Sequence, residues 1–308
     1  MNDRSPETYI QANVNGHLQD ARVPALSPLD RGFLYGDALY EVWRSYRGTL
    51  FGWREHWNRL EATARGIGFD LPFGPDVTFA QIRRTVAAWR SETGSDGEVY
   101  VRLQISRGGG PIGLDAGFAD APVYVIYVKA QPDLSEAALD AGVRLHVSKN
   151  WRRNSVEALP PSLKTGNYLN NILGLKEAKQ AGADDVLFLN ASGALTEAST
   201  RNVWLVFENR IATPRMEDGV LAGVTRRIML ESLSPFRGRP LVEERLDLDS
   251  LAAAQECFLS SSTQDVQPVA EVDGRRFPTG PDTVTRALKH EFQSYIADYV
   301  SRETALQL

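Results

Sequence analysis

Two periods run through this chain, alternation along short stretches and helical spacing along a few longer ones, and together they mark out most of its elements. Strict alternation over residues 40–46 and 99–105 predicts half-buried strands, and 122–129 reads as another. Tyr9-Ile10 and residues 14–17 predict a hairpin turning at Asn15-Gly16, a dipeptide suited to the left-handed angles of a tight turn. Trp53, Trp57, Leu60 and Ala64 share one side of a helix over 53–67, and a second helix is predicted over 79–89. Residues 27–37 and 91–97 carry neither period and read as loops.

Further along, 143–147 predicts a strand and 151–161 a loop. A helix follows Gly166 with Leu169, Ile172, Leu173 and Leu175 as its apolar positions, and Gly182 stops it. Strands at 186–189 and 194–198 flank a turn, 203–207 and 211–213 continue the pattern, a helix opens after Gly223, and residues 284–300 form a closing helix. Strands and helices mixed in this way predict an α/β (α+β) protein. The polar, proline-bearing stretch at 131–138 is read as a linker between domains at 1–130 and 139–308, and 308 residues suffice for two cores.

Charge changes the picture little: Lys and Arg number 34 and Asp and Glu 39, for a net charge of −5. Mild acidity argues against sequence-independent nucleic-acid binding, which needs a basic surface. No apolar run is long enough to span a bilayer, and the first residues lack the layout of a secretory signal, so a cytoplasmic location is expected. The single cysteine, Cys257, cannot form an intramolecular disulfide, and the four scattered histidines show no metal-ligand spacing, so no catalytic metal is expected.

The chemical signal lies in residues 162–201. Lys164 precedes Thr165-Gly166-Asn167, a turn-rich run that sets its amine at the edge of a rigid element, and Glu197 falls on the second strand of the pair that follows. Here the chain resembles the class IV aminotransferases, the fold-type IV enzymes that use pyridoxal 5'-phosphate. Both ends of the family signature are present, one at residues 164–171 and the other, Thr196-Glu197-Ala198-Ser199-Thr200-Arg201-Asn202, at the second strand; the similarity extends from residue 30 to residue 269. The chain has six lysines, and only Lys164 stands before the family's Asn-Tyr dipeptide.

The resemblance implies a small two-layer α/β domain followed by a larger α/β pseudo-barrel domain, and it implies roles. Lys164 would carry the cofactor's aldehyde and serve as base, Glu197 would face the ring nitrogen, and Tyr168 would donate toward the ring hydroxyl. Arg59, in His56-Trp57-Asn58-Arg59-Leu60, would bind the phosphate through its planar fork. Val224 and Thr225, in the Leu-x-Gly-Val-Thr-Arg run, would cup it at a helix start, helped by Ser262. Tyr40, Val42 and Arg44 match the pocket-lining strand, Tyr100 and Arg102 resemble the pair with which branched-chain aminotransferases hold a substrate carboxylate, and Thr263 would lie near that carboxylate.

Two departures bear on substrate. Leu103 replaces a usual proline of the branched-chain enzymes, while residues 40–51 look more like D-amino-acid aminotransferases, whose Arg-x-His carboxylate trap is missing from 108–120. Gly108, Gly110 and Gly113 satisfy G-x-G-x-x-G, but Pro111 interrupts the run and a strand rather than a helix follows, so a mobile loop over the pocket is the better reading. The favoured function is a transaminase exchanging an amino group between an amino acid, D or branched-chain L, and a 2-oxo acid such as 2-oxoglutarate or pyruvate, working as a homodimer. Aminodeoxychorismate lyase, against which Glu41 weighs because lyases often carry threonine there, an (R)-amine transaminase and a non-catalytic scaffold are the alternatives.

Overall fold

The structure is a computed structural model and describes residues 5–308. By its contacts the chain divides into two compact units. The first takes the chain up to Pro132 together with Lys164–Asn167 and Asp298–Leu308, and the second is Asp133–Leu163 with Tyr168–Ala297.

The first unit holds β1 (Gln11–Val14), β2 (His17–Asp20), α1 (Arg31–Tyr35), β3 (Ala38–Tyr46), β4 (Thr49–Leu50), α2 (Trp53–Gly66), α3 (Pro75–Thr93), β5 (Val99–Ser106) and β6 (Val123–Ala130). Its six strands form one antiparallel sheet in the order β2-β1-β6-β5-β3-β4, with α2 and α3 packed on one face. The odd-numbered residues of β5, Val99 to Ile105, are buried against Trp57, Leu60 and Trp89 of the helices, and the even-numbered ones are half-buried on the other face. Asn15 and Gly16 take positive φ in the first hairpin. Residues 31–35, expected as loop, form a short helix that the Asp30 carboxylate caps and Gly36 closes at φ +69°. The second helix is longer than 79–89, because Pro75 starts it a turn early and it runs to Thr93.

The glycine run lies in the connection between β5 and β6, which pair as an antiparallel hairpin, so the strand-turn-helix of a dinucleotide fold is absent there. A Cβ on Gly108 would stand 1.8 Å from the Ala121 carbonyl oxygen, so close backbone approach explains that glycine without a phosphate.

The second unit contains α4 (Glu136–Ala141), β7 (Val143–Val147), α5 (Leu169–Gln180), β8 (Asp185–Leu189), β9 (Leu195–Ala198), β10 (Asn202–Val206), β11 (Ile211–Pro214), α6 (Val224–Ser232), β12 (Leu241–Glu244), α7 (Leu248–Ala253), β13 (Glu256–Ser261), β14 (Asp265–Val272), β15 (Arg275–Arg276) and most of α8 (Val284–Arg302). Strand order β12-β11-β10-β13-β14-β7-β8-β9 is closed by a further pairing of β9 with β10, so the strands from β10 round to β9 form a ring. That closure is a single pair, Glu197 opposite Asn202. Leu187, Val203, Leu205, Leu259 and Val269 are among the apolar residues of its core.

One amphipathic reading is reversed. Helix α5 buries Asn171, Gly174 and Ala178, while Leu169 and Ile172 are 66% and 56% exposed. Phe188 fills the space beside Gly174, where any Cβ would come within 2.2 Å of its ring, so smallness rather than apolarity selects the packed face.

Candidate active site

Lys164 sits in an extended segment hydrogen-bonded along β3. The Tyr40 amide donates to the Lys164 carbonyl at 3.1 Å, and the Gly166 amide donates to that of Ala38 at 2.8 Å. The Lys164 amide itself donates to the Thr63 hydroxyl of α2 at 3.2 Å. With its backbone held in this way, the lysine's Nζ donates to the Tyr40 hydroxyl at 2.8 Å and stands 4.1 Å from that ring's centre. The Arg102 guanidinium lies over the same ring at 4.0 Å and donates to the Gln104 side-chain oxygen. The alternation of β3 and β5 produces this grouping, since Val42 is paired with Arg102 and Arg44 with Tyr100 on one face. Within that face the residues separate. Tyr100 lies under Lys129, and Arg44 is buried against the Tyr46 ring at 4.1 Å.

Glu41 breaks the apolar rule on the opposite face of β3, where it is wholly buried. Arg59 Nε and Nη2 donate to its two oxygens at 2.7 and 2.8 Å, and His56 Nδ1 lies 2.7 Å from Oε2. Burial alone would raise the Glu41 carboxyl, but the Arg59 charge and the hydrogen bonds from Arg59 and His56 overcome it and hold the group well below the usual carboxylate range. Burial depresses His56, opposed by Glu41 and reinforced by Arg59 and Lys164. A neutral imidazole that donates from Nδ1 satisfies this geometry, so the 3.2 Å approach of Arg59 Nη2 to Nδ1 is two donors serving one carboxylate.

In the second unit Glu197 and Asn202, both from the run at residues 196–202, meet at the ring closure. Glu197, 4% exposed, accepts from Arg153 Nε and Nη2 on Oε1 at 2.9 and 2.8 Å, and from Asn202 Nδ2 and the Leu221 amide on Oε2 at 3.1 and 3.0 Å. The other Asn202 Nδ2 hydrogen goes to the Leu221 carbonyl at 3.0 Å. This single side chain joins the acid to the Leu-x-Gly-Val-Thr-Arg run, which explains why the two motifs occur together. Gly223, just before α6, is required by the same crowding, since a Cβ there would lie 2.0 Å from Asn202 Oδ1.

Val224 and Thr225 open α6 and are both buried. Helix geometry leaves their amides without intrahelical acceptors, and among the described residues no other acceptor meets them. Ser262 and Thr263 lie half-buried in the turn between β13 and β14, and α6 packs on β13. Tyr168 occupies the N-cap of α5, and burial, then the Glu197 charge, pushes its phenol above the ordinary value, so it stays a proton donor through the physiological range.

Arg153 was not singled out by the sequence. It lies in a segment read only as loop, 44 residues before its carboxylate partner, and no local period marks it. Among the described residues no group of His, Cys, Asp and Glu could hold a metal ion, and no helix is long and apolar enough to cross a membrane.

The chain is 30% identical to a protein of Methanocaldococcus jannaschii provisionally named a branched-chain-amino-acid aminotransferase, over 91% of this chain and 94% of that one. A D-alanine aminotransferase of Staphylococcus epidermidis is 27% identical over 93% and 98%. The crystal structure of a branched-chain aminotransferase from Thermoproteus uzoniensis with norvaline superposes with a TM-score of 0.83 at 26% identity, covering 97% of this chain and 98% of that one. The family model for amino-transferase class IV matches residues 38–272, and the chain therefore belongs to the class IV aminotransferases and has their fold-type IV architecture.

Proposed function

We propose that this enzyme is a pyridoxal 5'-phosphate-dependent transaminase, moving an amino group between an amino acid, of the D series or a branched-chain L-amino acid, and a 2-oxo acid such as 2-oxoglutarate or pyruvate. It works as a homodimer in the cytoplasm. The observation that carries this reading is the Lys164 amine, held by a pinned backbone and set on the Tyr40 hydroxyl at 2.8 Å.

The residues present fit the cofactor. An aldehyde calls for an amine, a ring nitrogen for a carboxylate, a ring hydroxyl for a neutral phenol and a phosphate for fixed donors. The chain supplies Lys164, the buried Glu197, the protonated Tyr168, and Arg59 with the two unmatched amides at the start of α6. When bound, the cofactor supplies the electron sink for charge left at the substrate's α-carbon.

The protein's own groups do the rest. Lys164 would hold the aldehyde, and its Nζ would take the proton that leaves the donor's α-carbon, with the Tyr40 hydroxyl fixing the direction of that amine. Glu197 would hold the ring nitrogen's proton, and Tyr168 would donate at the ring hydroxyl. Arg59, held by Glu41 along its Nε and Nη2 edge, is the guanidinium for the phosphate. Arg102 is the cation for the substrate carboxylate, oriented by the Tyr40 ring and Gln104.

A panel of D- and branched-chain L-amino acids, with 2-oxoglutarate or pyruvate as acceptor, tests the reading through the oxo acid formed. Borohydride reduction of the loaded protein should label the peptide containing Lys164. Pyruvate released from aminodeoxychorismate without an acceptor, or a label on another lysine, would overturn it.

A further inference from the structure

We propose that Arg153 is a positioning residue for the amino-transfer reaction, holding the Glu197 carboxylate in one orientation and tying it to the helical turn that Tyr168 opens. The inference rests on the reading of Glu197 as the acid at the ring nitrogen and adds a residue through which it acts.

The Arg153 guanidinium faces two ways. Its Nε and Nη2 grip Oε1 of Glu197 on β9, while Nη1 lies 3.3 Å from both the Asn170 and Asn171 side-chain oxygens in the first turn of α5. Asn171 in turn donates to the Ser199 carbonyl just beyond β9. One planar cation therefore fixes the spacing between the strand that carries the acid and the helix start that carries the phenol. Five donors in a rigid fork can do this where a lysine's single ammonium cannot serve both sides at the same geometry.

Arg153 is itself placed by its backbone. Its amide donates to the Leu189 carbonyl at 2.9 Å, and the turn before it is bonded to Glu177 of α5 through the Lys149 and Asn150 amides. The pair is nearly dry, with side-chain exposures of 9% and 6%. Replacing a buried ion pair by packed apolar residues is often neutral or stabilising, so stability alone gives little reason for charges at the ring closure. Orientation gives a better one. Arg153 occupies Oε1, and Asn202 with the Leu221 amide occupies Oε2, so the carboxylate cannot turn about its last bond without losing partners on both oxygens. Its direction is set in advance, which is what electrostatic stabilisation of a charged ring requires.

The test uses the full-length protein loaded with pyridoxal 5'-phosphate and four variants: Arg153→Lys, Arg153→Met, Glu197→Gln and the Arg153→Met/Glu197→Gln double. The readouts are the visible absorption band of the bound cofactor, its dissociation constant, and kcat and KM separately. Arg153→Met should lower kcat by about 10- to 100-fold, as loss of an orienting partner does. KM for the amino donor should stay within about threefold, because the lost interaction belongs to the transition state. The absorption band should move in the same direction as in Glu197→Gln, and Arg153→Lys should recover part of both effects. The double variant should be no worse than Glu197→Gln, because residues acting through one group do not add.

The proposal is overturned if Arg153→Met behaves like wild type while Glu197→Gln is impaired, or if the two losses multiply in the double variant. Should Glu197→Gln leave band and kcat unchanged, the assigned role of Glu197 fails and takes this inference with it, a pattern distinct from the other two. If Arg153→Met does not fold, Arg153→Lys and the charge-balanced double variant decide the matter.

Discussion

Glu41 and Glu197 are both buried carboxylates gripped by an arginine, one in the first unit and one in the second, yet they keep different company. Around Glu41 the third partner is His56, which can titrate; around Glu197 the donors besides Arg153 are the Asn202 side chain and the Leu221 amide, which cannot. The first cluster therefore has a charge that responds to pH and to its neighbours, since burial, Arg59 and Lys164 all act on His56. The second is built from partners of fixed charge. An arginine proposed to face a phosphate can share a responsive network, whereas an acid proposed to stay oriented at a ring nitrogen is better held by groups that do not titrate.

The largest expected effect breaks the comparison at the lysine. Lys164→Ala should lower turnover by about 10,000-fold, the upper end of what a positioned acid-base group contributes, with urea unfolding near wild type. Residual activity above about a hundredth of wild type would move the chemistry away from Lys164.

Next in size is the loss of one arginine from each pair. Arg59→Met leaves Glu41 buried beside His56 and should cost about 3 kcal/mol at mildly alkaline pH by urea unfolding, as broken buried pairs do. That cost should shrink on acidification, because the variant lacks the charge that depresses His56 and a protonated imidazole can replace the guanidinium. In that variant one cause of the His56 depression is gone while burial and Lys164 remain, so the depression is smaller and less stability is lost as pH falls through the unfolded value than in wild type. Arg153→Met should show no such recovery, having no histidine at its carboxylate among the described residues. Equal pH dependence in the two variants would erase the distinction.

Wild type should show a steeper acid loss over the same range. Folded His56 is depressed, so below about pH 6.5 the unfolded chain binds a proton that the folded chain refuses, and stability falls by up to about 1.4 kcal/mol per pH unit until the folded group titrates. Glu41, also depressed, adds its own loss below about pH 4.5. His56→Asn keeps a donor for Glu41 without the titration, and its unfolding free energy should be flatter over the upper part of that range. A slope unchanged in His56→Asn would place the acid sensitivity elsewhere.

How legible each cluster was in the sequence follows the same division. The alternation of residues 40–46 and 99–105 put Tyr40, Val42 and Arg44 on one face of their strand and Tyr100 and Arg102 on one face of theirs, because a strand face is a local consequence of period two; that the two strands pair, Val42 with Arg102 and Arg44 with Tyr100, is seen only in the fold. The same period could not foresee a charge on the core face, and Glu41 is intelligible only with α2 in place. Helix α5 was read from its apolar residues, but a facing phenylalanine made small side chains the buried ones. The short helix at 31–35 had its signals in the text, Asp30 before it and Gly36 after it, without the length for a period to show. Motif residues carry their own label; Arg153, whose role depends on a partner 44 residues away, carries none.

The smallest effect sharpens the contrast between charged and neutral donors for the same phosphate. Thr225 is almost wholly buried at the start of α6, and valine keeps its shape while removing the hydroxyl. Thr225→Val retains the backbone amides of residues 224 and 225, so it deletes one hydrogen bond from an uncharged donor and should weaken pyridoxal 5'-phosphate by about tenfold, near 1.4 kcal/mol. Arg59→Met, which removes a charge-assisted bond, should weaken it by about 10- to 100-fold. Added salt separates the two by mechanism. Screening reduces the arginine's share at partly exposed positions but leaves a short neutral bond untouched, so the gap between the variants should narrow as ionic strength rises while the Thr225→Val loss stays constant. Fluorescence titration of cofactor-free protein across a salt series reads both. A Thr225→Val loss that tracks salt as the Arg59→Met loss does would mean that the α6 start contributes through charge, and that the second unit is less neutral toward the phosphate than its donors suggest.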